Sequence, residues 1–240
     1  MTESSTAASG ADLALPDAVL WDMDGTIVDT EPYWQQSQIV LVAEHGGTWS
    51  REDGDSLIGS GLWQSARVLQ DHGVDLGEQE IIDRMTDDVM VSIRRHLPWR
   101  PGARELLREV RAAGIPTALV TMSIRRMADF VAEAIDFQAF DIVVAGDEVE
   151  FAKPHPEPYL RAATALGVDI RSCIAIEDSP TGLASAMAAG ATAIGVEHHA
   201  PLSTDGGYTH RASLEGVSLH ELRHILHAAR TPSNLSGGKA

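Results

Sequence analysis

Two aspartates separated by one residue, Asp22 and Asp24, follow the apolar run Ala18-Val19-Leu20-Trp21 and come just before Gly25. If this run is a β-strand, both carboxylates project from the same side at its end, because successive side chains alternate between faces. One carboxylate could then attack an electrophile or bind a metal while the other transfers a proton. An acidic turn that only ends a strand would show the same pattern. Residues elsewhere in the sequence are therefore needed to distinguish a catalytic pair of carboxylates from such a turn.

Two further segments could bind an anion. Thr121-Met122-Ser123 follows an apolar run and precedes a helical pattern, so a hydroxyl and the backbone amides there could hold an anionic group. A helix N-cap is the alternative for Thr121. Lys153 lies in the proline-rich segment Ala152-Lys153-Pro154-His155-Pro156. Prolines stiffen the chain, so this lysine could be a fixed positive charge that faces a phosphate, although a solvated surface lysine is the alternative.

A third segment could bind a metal. Glu177-Asp178-Ser179-Pro180 follows the apolar run that ends at Ile176. Two acids directly after a buried strand can supply the oxygen ligands that Mg²⁺ prefers. Capping of the next helix by Asp178 or Ser179 is the alternative interpretation.

Strands and helices alternate from about residue 103 onward. This order predicts a parallel sheet with helices on both faces, because parallel strands need crossover connections. The runs are continuously apolar, which is typical of strands that are buried on both faces. The predicted strands are 18–21, 117–121, 142–144, 173–176 and 193–196, and the predicted helices are 104–113, 125–135, 158–166, 183–189 and 219–229.

Residues 32–97 interrupt this alternation with helical patterns only, at 33–45, 62–72 and 80–96. We therefore expect an α/β core formed by residues 17–31 and 98–229, with a helical domain inserted at 32–97. Ligands of open α/β sheets bind at the carboxyl ends of the strands, which is where the insert begins. Residues 1–16 and 230–240 have no hydrophobic period and are expected to be disordered.

The composition and net charge of the chain exclude several classes of binding partner. The chain has 240 residues, a formal net charge of −17 and a pI of about 4.8, so it should repel nucleic acid and anionic membranes. Cys173 is its one cysteine, which excludes an intramolecular disulfide. Neither a membrane span nor a secretory signal is predicted. We expect a cytoplasmic monomer that acts on a small molecule.

Taken together, these motifs resemble those of the haloacid dehalogenase superfamily, on its phosphatase side. The resemblance is to the β-phosphoglucomutase-like group with a helical cap, and it covers about residues 17–229. It is carried by Asp22-Met23-Asp24-Gly25-Thr26, Asp29-Thr30-Glu31-Pro32, Thr121, Lys153-Pro154-His155-Pro156, Glu177-Asp178-Ser179 and Ala189-Gly190-Ala191.

The resemblance implies a Rossmann-like parallel-sheet core with an inserted all-helical cap, and a role for each matching residue. Asp22 would be the nucleophile that forms an aspartyl-phosphate, and Asp24 the general acid and base. Mg²⁺ would bind the Asp22 carboxylate, the Asp24 carbonyl and the Asp178 carboxylate, with Glu177 nearby. Thr121, Met122 and Lys153 would hold the phosphoryl group.

The reaction is inferred from what this chain has and lacks. Asp24 favours phosphoryl transfer over carbon–halogen cleavage, because the dehalogenases of the superfamily lack a second aspartate. Mutases of the resembling group have cationic or imidazole side chains where this chain has Leu62, Trp34 and Ile124, although Arg125 and Arg126 follow. We therefore expect a phosphatase acting on a small metabolite such as a sugar phosphate.

The alternatives remain a β-phosphoglucomutase-type mutase and a non-catalytic binding protein on the same fold. Trp34, Gly59 and Trp63 are candidates for the pocket of the leaving group, with the core of the insert as the alternative for the aromatic side chains. The histidines at 220, 224 and 227 recur at helical spacing and are expected to form a solvated helix face. No role is predicted for His198-His199.

Overall fold

Six parallel strands form one sheet in the order β3-β2-β1-β4-β5-β6. The computed structural model describes residues 13–57, 60–199 and 201–231. The predicted parallel α/β sheet is confirmed, and it has one further strand, β6, at an edge, which was not predicted. The strands are β1 (Ala18–Trp21), β2 (Thr117–Val120), β3 (Ile142–Val144), β4 (Cys173–Glu177), β5 (Thr192–Val196) and β6 (Thr209–Arg211).

Each face of the sheet is covered by helices, as the continuously apolar strands predict. Val19 and Trp21 belong to a large apolar cluster with α5 (Ala103–Ala112), α6 (Arg125–Ala134) and α9 (Leu219–Arg230). Their neighbours Ala18 and Leu20 pack on the other face against α7 (Glu157–Leu166) and α8 (Pro180–Ala189). This alternation gives a three-layer core in which both β1 faces are fully buried.

A run of helices separates β1 from α5. It comprises α1 (Glu31–Glu44), α2 (Arg51–Asp55), α3 (Leu62–Asp71) and α4 (Glu78–Arg95). The short α2 was not predicted, because it has no apolar stripe. It begins with a capping box, in which Ser50 Oγ accepts from the Asp53 amide at 3.1 Å and Asp53 Oδ2 accepts from the Ser50 amide at 2.8 Å.

The two connections between core and helical insert run side by side. Val28 pairs with Trp99 in an antiparallel bridge, and the Asp29 amide donates to the Pro98 carbonyl at 2.8 Å. Apart from these connections, α4 contacts α6 of the core, where Arg126 Nη1 lies 2.8 Å from Asp87 Oδ1. The insert therefore leaves from the end of β1 and also touches the core a second time.

The predicted disordered tails are only partly within the described ranges, since residues 1–12 and 232–240 lie outside them. Within them, the Leu13 carbonyl accepts from Arg223 Nε at 2.7 Å, and Arg230 is the last residue of α9. Among the described residues, no helix has the length and apolarity that crossing a bilayer requires.

Candidate functional site

The chemistry-bearing segments meet at the carboxyl ends of three neighbouring strands. β1 lies between β2 and β4, so Asp22 after β1 is flanked by Thr121 after β2 and by Glu177 at the end of β4. Lys153 enters from the segment between β3 and α7. Parallel topology thus brings together residues that are far apart in the sequence.

Lys153 is a buried, fully engaged cation and not a surface lysine. Its side chain is 4% exposed. Its ammonium donates to Asp22 Oδ1 at 2.8 Å, to Glu177 Oε1 at 2.6 Å and to the Val120 carbonyl at 2.9 Å. Burial alone would lower the pKa of Lys153, but the two carboxylates outweigh it and raise that pKa, so the charge persists at neutral pH.

Both oxygens of the fully buried Glu177 carboxylate accept hydrogen bonds. Oε1 accepts from Lys153 Nζ and from the Tyr159 hydroxyl at 2.6 Å, and Oε2 accepts from Ser179 Oγ at 3.1 Å. A Cβ at Gly182 would lie 2.0 Å from this carboxylate, so the close approach of α8 requires glycine there. These contacts fix Glu177 against Lys153.

Asp178 has a different environment from its neighbour. Ser179 caps α8 by accepting from the Gly182 amide at 3.0 Å, so the cap does not use Asp178. Carboxylate oxygens of Asp22, Glu177 and Asp178 lie within 4.8 Å of one another. Gly25, at a φ of +88°, passes close enough that a Cβ there would lie 2.0 Å from Asp178 Oδ2.

The clustered carboxylates leave an excess of negative charge. Burial, and then the nearby Glu177, raise the pKa of Asp22, and burial, followed by Asp22, raises the pKa of Asp178. Lys153 is the single cation hydrogen-bonded within this cluster in the described chain. Hard oxygen donors with uncompensated charge fit a divalent cation such as Mg²⁺, so the donor set is suitable for that ion.

Asp24 is held by two hydroxyls. Thr30 Oγ1 donates to Asp24 Oδ1, and Ser123 Oγ donates to Asp24 Oδ2 at 2.8 Å. Burial raises the pKa of Asp24, and the hydroxyl hydrogen bonds partly oppose this. A carboxyl held in place with a raised pKa is suited to exchanging a proton with a bound group.

The segment after β2 folds back on itself. Thr121 Oγ1 accepts from the Ser123 amide at 3.0 Å, while α6 begins after Ile124 without a side-chain cap. Thr121 is therefore not the N-cap of α6. The Met122 sulfur accepts from the Lys153 amide at 3.4 Å, which joins this segment to the lysine.

The aromatic candidates lie in different surroundings. Trp34 is 8% exposed and packs in the large apolar cluster, whereas Trp63, in the first turn of α3, is 50% exposed. Gly59 lies outside the described residues.

Arg125, which follows the Thr121 segment, pairs with Asp129 and Glu148.

Three residues at the site were missed as site residues, namely Thr30, Ser123 and Tyr159. Thr30 and Ser123 were part of the quoted motifs, but a sequence pattern does not show that both hydroxyls face Asp24. Tyr159 had no signal beyond helical periodicity, and its contact with Glu177 arises only when α7 packs on the sheet.

A second cluster lies beside the first, formed by Asp29, His198 and His199. Asp29 Oδ1 lies 3.2 Å from His198 Nε2 and 3.8 Å from His199 Nε2. Burial and then the Arg100 guanidinium lower the pKa of His198 to about 4, so its imidazole is neutral at neutral pH. The histidines at 220, 224 and 227 are exposed on α9, as predicted.

Comparisons with known proteins agree with this geometry. A family model described as haloacid dehalogenase-like hydrolase matches residues 16–190. Hexitol phosphatase B of Escherichia coli (strain K12) is 29% identical over 180 residues, which cover 72% of this chain and 79% of that protein.

Solved structures share the architecture. A variant of CbbY from Rhodobacter sphaeroides, in complex with xylulose-(1,5)bisphosphate, matches with a TM-score of 0.77 at 25% identity, covering 87% of this chain and 99% of that one. β-Phosphoglucomutase from Clostridium difficile has the same fold, with a TM-score of 0.73 at 21% identity over 88% of this chain and 97% of that one. The resemblance inferred from the motifs is thus confirmed, and the chain belongs to the haloacid dehalogenase-like hydrolase family, as a phosphatase-type enzyme of its β-phosphoglucomutase-like group.

Proposed function

We propose that this protein is a Mg²⁺-dependent phosphomonoester hydrolase that acts on a small sugar phosphate through an aspartyl-phosphate intermediate. The observation that carries the proposal is the pairing of two differently held carboxylates. Asp22 lies against Lys153, whereas Asp24 is held by the hydroxyls of Thr30 and Ser123. One is placed for attack on phosphorus and the other for proton transfer.

In the first step, a carboxylate oxygen of Asp22 attacks the phosphorus. The bond between phosphorus and the sugar oxygen breaks, and Asp24 gives its proton to the departing oxygen. Burial raises the pKa of Asp24, which favours the protonated form that this step needs. The Lys153 ammonium, which Glu177 positions, faces the charge that develops on the phosphoryl oxygens.

In the second step, Asp24 takes a proton from water, and the water oxygen attacks the phosphorus of the aspartyl-phosphate. The bond between Asp22 and phosphorus breaks, which regenerates the carboxylate and releases inorganic phosphate. Asp24 thus acts first as acid and then as base, and it returns to its protonated form.

Asp22, Asp178 and the Asp24 carbonyl are the proposed ligands of Mg²⁺. When bound, the ion neutralises the repulsion between a carboxylate nucleophile and a phosphate dianion. We assign Glu177 to positioning Lys153, since its oxygens already accept from Lys153, Tyr159 and Ser179. The Thr121 hydroxyl proton and the neighbouring Met122 amide are proposed to bind the phosphoryl oxygens.

Two observations support a phosphorylated sugar as the substrate and a hydrolase instead of a mutase. The named relative of Escherichia coli is a hexitol phosphatase, and CbbY was crystallised with a ketose bisphosphate. In addition, Arg125 and Arg126, the cations nearest Thr121 in sequence, are already paired with acidic side chains. These ion pairs would have to break before either arginine could hold the second phosphate that a mutase must bind. The insert, residues 32–97, is proposed as the cap that excludes water.

Phosphate release from a panel of substrates tests the proposal. The panel contains a hexitol phosphate, an aldose phosphate, a ketose bisphosphate and an aryl phosphate, each with Mg²⁺ and with chelator. We expect Mg²⁺-dependent release from at least one sugar phosphate. After rapid acid quenching with a ³²P-labelled substrate, the protein should carry a label that hydroxylamine removes, as an acyl phosphate does.

The Asp22→Asn variant is the control for the covalent step, and it should lose both turnover and label while it retains the wild-type circular dichroism spectrum. Near-normal activity of this variant would refute the mechanism. Conversion of β-glucose 1-phosphate to the 6-phosphate in the presence of a bisphosphate activator, without phosphate release, would show that the protein is a mutase instead.

A further inference from the structure

We propose that Asp29, His198 and His199 form a second metal site, which binds a Zn²⁺-class transition-metal ion separately from the Mg²⁺ site. One carboxylate oxygen and two imidazole nitrogens converge there, all within 4.8 Å of one another. Imidazole nitrogen suits zinc and its neighbours in the first transition row, whereas Mg²⁺ prefers oxygen alone. The two clusters therefore differ in the class of ion that each would bind.

The spacing of the donor atoms matches that of a metal site. Bonds of about 2.0–2.2 Å to zinc place neighbouring ligand atoms about 3–3.5 Å apart. Asp29 Oδ1 lies 3.2 Å from His198 Nε2 and 3.8 Å from His199 Nε2, so an ion needs only small side-chain movements. The two imidazole rings pack together with their centroids 3.7 Å apart. Both histidines lie on one short loop, and the Nε2 atom of each faces Asp29.

The backbone already holds these ligands. Asp29 lies where the two connections of the insert pair, and its amide donates to the Pro98 carbonyl at 2.8 Å. The histidines directly follow Glu197, whose amide donates to the Arg211 carbonyl at 2.9 Å. Ligands on two separately fixed segments lose little conformational freedom when an ion binds.

The surrounding charges favour a cation overall. Arg100 is the basic group that faces His198, and it also donates to the Glu197 carbonyl at 2.7 Å. Three acidic side chains oppose the positive charge of Arg100, namely Asp29 itself, Glu31, whose pKa is raised by the nearby Asp29, and Asp178, which lies beside Gly25 as His198 does. The side chain of His198 is 9% exposed and that of His199 is 35% exposed, so one side of the cluster is open to an incoming ion and to water as a further ligand.

Cobalt binding to the full-length chain tests this site. The protein is stripped with chelator, returned to excess Mg²⁺ to fill the carboxylate site, and titrated with Co²⁺ as a visible-absorbing substitute for zinc. We expect one Co²⁺ per chain, bound with the visible absorption typical of nitrogen ligands and displaced by Zn²⁺. The His198→Gln/His199→Gln variant should bind it at least about tenfold more weakly.

The exposed pair His220 and His224, with Nε2 atoms 3.2 Å apart on α9, is the competing chelate and the source of the matched control. The His220→Gln/His224→Gln variant should bind Co²⁺ as the wild type does. Loss of binding in that variant, or no binding to the wild type, would overturn the proposal.

Because His198 is nearly buried, its replacement could disturb the fold. His199→Gln and Asp29→Asn are therefore measured separately, with the melting temperature of each variant recorded in chelator. Zn²⁺ should raise the melting temperature of the wild type and of the α9 variant more than that of either single variant. Equal Zn²⁺ shifts in all four proteins would also refute the second site.

Discussion

The ammonium of Lys153 lies 2.6 Å from Glu177 Oε1, and almost nothing of either side chain is exposed. Because of this ion pair, the adjacent acids Glu177 and Asp178 have different partners. Glu177 faces Lys153 and the Tyr159 hydroxyl, while Asp178 faces the backbone of Gly25 and the carboxylate of Asp22. One acid can therefore position a cation of the protein while the next binds a cation from solution.

Glu177→Gln should separate these two roles. An amide cannot hold the Lys153 ammonium as a carboxylate does, so kcat should fall by about 10²–10³-fold, the usual loss when a preorganised charged donor is disturbed. The Mg²⁺ concentration for half-maximal activity should stay within a few-fold of the wild-type value. Initial rates at varied Mg²⁺ measure both quantities.

The control is the neighbouring substitution Asp178→Asn, which should instead raise the Mg²⁺ requirement, by about 10–100-fold. If Glu177→Gln raised the Mg²⁺ concentration for half-maximal activity as strongly as Asp178→Asn, then Glu177 would be a metal ligand and not the residue that positions Lys153.

The hydroxyls that hold Asp24 should affect turnover more than binding. Thr30→Val and Ser123→Ala each remove one hydrogen bond to the Asp24 carboxyl. A carboxyl that is free to rotate spends less time aligned with the leaving oxygen, so kcat should fall by about 10–100-fold with little change in KM. Steady-state kinetics on the best substrate of the panel provides the measurement.

Thr164→Val serves as the matched control, because the Thr164 hydroxyl donates to the Leu160 carbonyl on the exposed side of α7. It should leave kcat unchanged. A full wild-type rate in both Thr30→Val and Ser123→Ala would show that Asp24 needs neither partner.

Arg126 links the helical insert to the core, since its guanidinium lies 2.8 Å from Asp87 and 3.6 Å from Asp83 on α4. Exposed ion pairs contribute about 0.2–1 kcal/mol, so Arg126→Ala should raise KM by no more than about fivefold. The effect should shrink as salt is added, because exposed charges are screened. KM measured at low and high ionic strength checks both expectations.

Arg125 provides the comparison within the same helix turn, because its partners Asp129 and Glu148 both belong to the core. Arg125→Ala should leave KM and its salt dependence unchanged. Equal effects of the two alanine variants would indicate that contact between insert and core plays no part.

Much of the fold could be predicted because strong local patterns coincide with the observed elements. β1 and β3 were predicted with their observed bounds, since each coincides with a short, continuous apolar run. β6 (Thr209–Arg211) was missed because it is three residues long, polar and only partly buried, and it pairs with β5 alone. Such an edge strand owes its structure to its neighbour more than to its own sequence.

The site was predictable as a set of residues but not as a geometry. Parallel topology explains why Asp22, Thr121 and Glu177 had to meet at one edge. It could not distinguish Glu177 from Asp178, because the distinction depends on Tyr159 and Gly182 from two packed helices. Likewise, nothing in the motif around Asp29 indicates that His198 lies 3.2 Å away across the sheet edge.

Glu31 should make stability depend on pH. It begins α1 close to Asp24, Asp29 and Asp55, and burial together with these acids raises its pKa from 4.5 to about 7. The folded protein therefore keeps a proton that the unfolded chain releases between about pH 4.5 and pH 7. Stability from this group is present below that window and is lost as pH rises through it. The loss should be about 1–2 kcal/mol, because partial exposure screens the charges.

Glu31→Gln removes this titration, since the amide stays neutral at every pH. In chelator, the variant should therefore gain stability relative to the wild type near pH 8 but not near pH 4.5, as urea unfolding at the two pH values would show. Glu80, an exposed carboxyl in the first turn of α4, provides the matched control. The free energy of unfolding of Glu80→Gln should differ from that of the wild type by the same amount at both pH values. If the free energies of unfolding of Glu31→Gln and wild type differed by the same amount at both pH values, Glu31 would not titrate in this window.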